Sequence, residues 1–157
     1  MITDSGNRRS YETGAVRDVS EGKGRPCLMP LEVVAILLGE KISTDPILSP
    51  LGSFIKQRET RHLYVALYNF AEVAYNKSIE TMLLEVAIHF EEGARKYGPN
   101  NWRKGLPPSC YMDSAIRHYL KYRRGDKDEN HERAFVWNLM CCIWEVDYHR
   151  ENKNHQN

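Results

Sequence analysis

The sequence predicts an all-α protein, a bundle of about five helices, and three observations carry that prediction. Apolar residues recur three and four positions apart in segment after segment, strand-like alternation of useful length is absent, and glycine closes three of the periodic runs, at Gly39, Gly98 and Gly125. With 157 residues, 41% hydrophobic and 27% charged, the chain is long enough for one domain with a proper core. No internal repeat suggests a solenoid. The expected organisation is a flexible arm over residues 1–26, an all-α domain over 27–150, and a disordered tail over 151–157.

Residues 1–26 are aperiodic and rich in Gly, Ser, Arg and Asp, which predicts an arm with little independent structure. Within it, Glu21-Gly22-Lys23-Gly24-Arg25 places two cations between glycines that let the backbone approach a ligand. That spacing suits a phosphate and is equally typical of a flexible tail. Residues 27–39 (CLMPLEVVAILLG) predict a first helix with Pro30 in its first turn and Gly39 as its stop. It is apolar almost all round and is expected to be buried. Residues 40–60, with Pro46, Pro50 and Gly52, read as a connection holding a short helical turn around 51–55. A helix over 60–75 follows from Leu63, Ala66, Leu67, Phe70 and Ala74, and Ser78 is a candidate N-cap for the next, from Ile79 onwards.

The stretch 83–102 combines an amphipathic helix, a glycine stop and a polar-aromatic loop. At about 100° per residue, Leu83, Val86, Phe90, Ala94 and Tyr97 fall on one side, and Glu85, His89, Glu92 and Lys96 on the other. Gly98 and Pro99 end the helix and lead into Asn100-Asn101-Trp102. Carboxylates and an imidazole along one face suit a divalent metal or proton transfer; they are just as readily a solvated surface.

Ser109 is placed to cap a helix running to about Arg124, with Gly125 beyond it and a core face of Met112, Ala115, Ile116, Tyr119 and Leu120. Asp113 lies at the edge of that face, one turn from Arg117. His118 projects roughly 140° away from Asp113, which makes Asp113 the preferred metal ligand of the two. An acidic capping turn over 126–130 precedes the last helix, 131–149, whose His131, Asn138, Cys142 and Glu145 share a face with Phe135. A buried amide such as Asn138 needs partners or costs on the order of 1–3 kcal/mol.

Composition narrows the function classes. A formal net charge of +1 gives no support for a nucleic-acid partner. No apolar run approaches a membrane span. Four cysteines without a CxxC pair read as buried, reduced thiols of a cytosolic protein, so the expected location is the cytoplasm.

The runs HFEEGARKYGPNNWRKGLP and YMDSAIRHYLKYRRGDKDENHERAFVWNLMCC, preceded by TGAVRDVSEGKGRPCLMPLEVV, resemble the phage and prophage dATP/dGTP diphosphohydrolase domain. That domain is a divergent branch of the all-α nucleoside triphosphate pyrophosphatases related to MazG and to dimeric dUTPases. The likeness covers roughly residues 13–148, with 40–76 as an insertion relative to the shortest members.

The resemblance implies a MazG-like bundle that binds Mg2+ or Mn2+ and hydrolyses a purine deoxynucleoside triphosphate (dATP or dGTP) to the monophosphate and pyrophosphate. It also implies a homo-oligomer, dimer or tetramer, in a bacterial or phage-infected cell. The wider superfamily carries ExxE…ExxD on two helices. Here the central helix offers Glu85, His89, Glu91 and Glu92 without that pair, and Glu129-Asn130-His131-Glu132 has Glu where Asp is expected. Many short relatives also carry a second His where this chain has Ala134.

On this reading Glu92 and Asp113 hold the metal, and Glu85, His89, Glu91 or His131 complete or orient its shell, with Glu92, Asp113 and His131 as the catalytic set. Lys23, Arg25, Lys96 and Arg117 neutralise phosphate. Trp102 offers a stacking surface, as Tyr97 does if it is not core, and Asn101, His118 and Asn138 contact the nucleotide. The alternative is a non-catalytic nucleotide-binding or regulatory helical module.

Overall fold

The computed structural model describes residues 2, 4–39 and 43–149, so the expected disordered tail lies outside the described residues. Among the described residues the chain is all-α apart from one small hairpin. Strands β1 (Arg8–Ser10) and β2 (Val16–Asp18) pair antiparallel with Arg9 opposite Arg17. A 3-10 turn, Pro26–Leu28, leads to α1 (Leu31–Leu38), α2 (Leu48–Gln57), α3 (Arg61–Ala74) and α4 (Ile79–Tyr97). A second 3-10 turn, Asn101–Lys104, precedes α5 (Pro108–Arg124) and α6 (His131–Trp144), and a π-helical turn, Glu145–His149, prolongs α6.

The core lies where α5 runs along α6, with α3 and α4 packed on α6 and α2 on α3 and α5. Phe70 of α3 is its hub: its ring lies 4.5 Å from Phe135 and edge-on to Tyr75, Tyr119 and Tyr122. Edge-to-face geometry adds to the large area each ring removes from water.

Helix ends follow local chemistry in most places. The Ser78 hydroxyl accepts the Thr81 N–H at 3.1 Å and the Asn130 side-chain Oδ1 accepts that of Arg133 at 2.9 Å, each capping its helix. Gly125 closes α5 in the left-handed conformation, φ 85°. α5 departs from expectation: it begins at Pro108, whose missing N–H costs nothing in a first turn, and Ser109 is inside the helix instead of capping it.

Three further departures share a cause. α1 is not buried: Leu31 and Ala35 face inward, whereas Val33, Ile36 and Leu37 are 52%, 50% and 76% exposed, because its main packing is against α2 alone. In α4 the inward residues are Met82, Val86 and His89, while Leu83, Leu84 and Ile88 are exposed. The wheel orders the residues correctly but does not say which face meets α6. Finally, α2 is a full ten-residue helix where composition suggested a single turn. It is started from outside by Asp45, whose Oδ1 accepts the N–H groups of Ile47 and Leu48, each at 2.9 Å.

The N-terminal arm takes its order from the body. Ala15 is fully buried, and the Asn101 amide clamps Val16 from both sides, donating to its carbonyl at 2.9 Å and accepting its N–H at 3.0 Å. All four cysteines are free; Cys141 and Cys142 are buried, and Cys27 and Cys110 half-buried. Among the described residues no helix is long and apolar enough to cross a membrane.

Candidate functional site

Where the hairpin and the 22–25 loop fold back over α4, α5 and α6 they enclose a cavity of about 900 Å³. Six basic residues line it (Arg9, Arg17, Lys23, Arg25, Arg117, Lys121) against four acidic ones (Asp18, Glu91, Asp113, Glu129). A partly enclosed space lined by more cations than carboxylates carries positive potential, an environment that suits a polyphosphate.

The 22–25 loop is built by its glycines: Gly22 and Gly24 sit at φ 75° and 76°, a region that costs other residues strain. Two side chains of α5 hold it. Arg117 donates to the carbonyls of Lys23 (3.2 Å) and Gly24 (3.0 Å), and Asp113 accepts from Arg25 Nε (3.0 Å) and the Cys27 N–H (2.9 Å). Burial lowers the Arg117 pKa, and the neighbouring Asp113 carboxylate opposes that shift. Lys23 lines the cavity and is exposed.

Arg17, which sequence reasoning passed over, reaches into the same space. Its guanidinium bonds Ser114 Oγ and Asn138 Oδ1, both at 3.3 Å, and lies 5.6 Å over the Trp137 ring. The Asn138 amide donates to Ala134 O at 2.7 Å, so this buried group is held at both ends. His89 packs on Trp137 with ring centroids 5.8 Å apart, and burial, more than the nearby Arg17 and Arg133, lowers its pKa to about 4. It is a neutral imidazole near pH 7.

The expected metal ligands do not meet at a point. Glu85 pairs with Arg133 at 2.5 Å, and exposed Glu91 pairs with Arg95 along its own helix. Asp113 is occupied by Arg25 and the Cys27 N–H. Glu92 is half-buried on α4 and does not line the cavity. The Lys96 ammonium lies against Asp18, at 3.1 Å, instead of facing the cavity. Asn101 and Trp102 line the cavity; Asn101 clamps Val16, and Trp102 packs between Phe90 and Trp144. The Tyr97 hydroxyl donates to Asp18 at 3.2 Å.

A different set converges. His118 Nδ1 lies 3.0 Å from His131 Nδ1 and 3.6 Å from Glu129 Oε1, which is 3.9 Å from His131 Nδ1. Asp128 Oδ1 is 2.7 Å from the other nitrogen of fully buried His131. Burial first, then the adjacent His131, holds the His118 pKa well below its ordinary value, so this imidazole is neutral too. Glu129 was visible in the sequence only as part of an imperfect ExxE pattern. Its meeting with His118 depends on how α5 pairs with α6.

Of the proteins compared, no curated protein and no solved structure matches the chain. The family model described as dATP/dGTP diphosphohydrolase, N-terminal, matches residues 66–155. That span holds α4, α5, α6 and the His118–Glu129–His131 group, while Arg17, Lys23 and Arg25 lie before it. The matched residues exceed half of the chain, which therefore belongs to the dATP/dGTP diphosphohydrolase N-terminal family.

Proposed function

We propose that the chain hydrolyses purine deoxynucleoside triphosphates, dATP or dGTP, to the monophosphate and pyrophosphate. The cavity is the observation that carries this reading: Arg17, Lys23, Arg25, Arg117 and Lys121 gather in one space with the aromatic faces of Trp102 and Trp137. Cations of this kind accept the triphosphate and offset the charge that develops on its oxygens during transfer, and the indole faces give a purine a stacking surface. Arg117 and Asp113 act by positioning, since they fix the glycine loop that presents Lys23 and Arg25. Arg17 is held by Ser114 and Asn138 before substrate arrives, so little ordering is left to do. A divalent ion, Mg2+ or Mn2+, supplies charge neutralisation and an activated water when bound.

Incubating the purified chain with each of the four deoxynucleoside triphosphates and Mg2+ or Mn2+, with chromatography of the products, tests the reading. Monophosphate and pyrophosphate from a purine triphosphate are expected. Tight binding without turnover would move the protein to the alternative, a nucleotide-binding regulatory module, and absence of binding would overturn both.

We also propose that two copies associate through α3 and α4. Tyr64, Val65, Tyr68, Leu84 and Ile88 are between 37% and 73% exposed there, and large apolar side chains left in water on neighbouring helices favour association. Light scattering on a sizing column is expected to give a dimer or tetramer, and Leu84→Glu a smaller species.

A further inference from the structure

We propose that His118, Glu129 and His131 form a divalent-metal site of mixed nitrogen and oxygen character, which takes a first-row transition ion such as Mn2+ in preference to Mg2+. The site borders the cavity described above, and its part in turnover rests on the hydrolase reading; its existence does not.

Three ligand atoms face one another: His118 Nδ1, His131 Nδ1 and Glu129 Oε1, at separations of 3.0, 3.6 and 3.9 Å. Ligand atoms held at ~2.1 Å from one ion stand ~3.0 Å apart at a right angle and ~3.4 Å apart at a tetrahedral angle. The two nitrogens already have such a spacing, and the carboxylate oxygen needs to close in by only a few tenths of an ångström. His118 and Glu129 both line the cavity, so an ion held by them is within reach of a bound phosphate.

Asp128 is the second, independent observation. A carboxylate at neutral pH only accepts hydrogen bonds, so the 2.7 Å contact with His131 Nε2 assigns the ring hydrogen to that nitrogen. His131 Nδ1 is left with its lone pair facing His118 and Glu129. A carboxylate on the far nitrogen of an imidazole is the arrangement that orients and strengthens a metal-binding histidine. Without an ion, His118 Nδ1–H donates to His131 Nδ1, which accounts for their 3.0 Å contact. Binding asks only that His118 move its hydrogen to the other ring nitrogen.

The competing group, Asp126, Asp128 and His131, is already committed: Arg124 holds Asp126 through two bonds and Lys121 holds Asp128. Donor chemistry sets the preference for the ion. Mg2+ demands oxygen ligands, whereas two imidazoles and one carboxylate suit Mn2+, Co2+ or Zn2+.

The test is titration of the metal-free full-length chain with Mn2+, the free ion read by electron paramagnetic resonance, with Co2+ absorption as a second readout. Wild type is expected to bind one ion per chain, and Mg2+ to displace it only at 100-fold or greater excess. Glu129→Gln and His118→Gln are expected to weaken binding at least tenfold, and Asp128→Asn by roughly ten- to a hundredfold, while circular dichroism stays native. Absence of stoichiometric Mn2+ binding, with and without a non-hydrolysable triphosphate, overturns the site, as does wild-type affinity in folded Glu129→Gln and His118→Gln. Turnover separates the two proposals. Wild-type Mn2+ affinity in folded Glu129→Gln that still hydrolyses a triphosphate sinks the metal site and leaves the hydrolase, whereas stoichiometric metal with no hydrolysis of any triphosphate sinks the hydrolase and leaves the site.

Discussion

Two neighbouring side chains of α5, His118 and Tyr119, belong to polar clusters of opposite character. Tyr119 reaches Asp45, a fully buried carboxylate that accepts from the Tyr119 hydroxyl and Arg123 Nη1, each at 2.7 Å, and from the N–H groups of Ile47 and Leu48. Four donors meet two oxygens, so the cluster is saturated and its work is mechanical: it starts α2 and ties it to α5. His118 reaches His131 and Glu129, where three atoms able to bind an ion face one another beside a cavity. A buried polar group whose lone pairs are all taken holds a fold together. A set of ligand atoms that converges beside open space is placed for chemistry.

The contrast breaks most visibly at Asp45. Asp45→Ala leaves two helix-starting N–H groups and the Tyr119 hydroxyl without their partner, and is expected to cost about 4 kcal/mol in urea unfolding. Asp45→Asn, which can still cap α2, is expected to cost less than half of that.

His89 gives the next largest effect. Its folded pKa of about 4 lies below the ordinary 6.5, so between these values the unfolded chain binds the extra proton. Stability is therefore full above pH 6.5 and falls by up to about 3 kcal/mol as pH drops to about 4. His89→Phe is expected to flatten that slope in melting curves recorded across the window.

Arg17→Ala sharpens the comparison at the cavity, since it removes a cavity-lining cation that belongs to neither cluster. On the hydrolase reading a ten- to hundredfold fall in kcat/KM, about 1.4–2.7 kcal/mol, is expected, together with a loss of about 1 kcal/mol in stability because Asn138 Oδ1 loses its donor. Smallest of all is Tyr111→Phe. The Tyr111 hydroxyl is buried with no hydrogen-bond partner among the described residues, so its removal is expected to change stability by less than about 1 kcal/mol, in either direction.

Much of the fold was legible from local pattern. The spans of α3, α4 and α5, the caps at Ser78 and Asn130 and the stop at Gly125 follow from residues within a turn or two of one another. α2 was not, because its start depends on Asp45 being held by Tyr119 and Arg123, more than seventy residues away. In the candidate site, the Lys23–Gly24–Arg25 loop and Arg117 were readable as phosphate-facing cations, and they come together. Lys96 was read the same way but is taken by Asp18 of a hairpin that carries no periodic signal.

The sequence by itself determined the all-α class, several of the helix ends and the residue types available for chemistry, since these depend on periodicity and on side chains bonding their own backbone. Tertiary structure decided which face of α1 and α4 is covered, where Arg17 points, and that Glu129 and His131 meet His118 instead of Glu92 meeting Asp113. The physical reason is that a helix presents every face equally until a neighbour packs against one. For α1 the neighbour is α2; for α4 and α5 it is α6, and that pairing is set by the whole core.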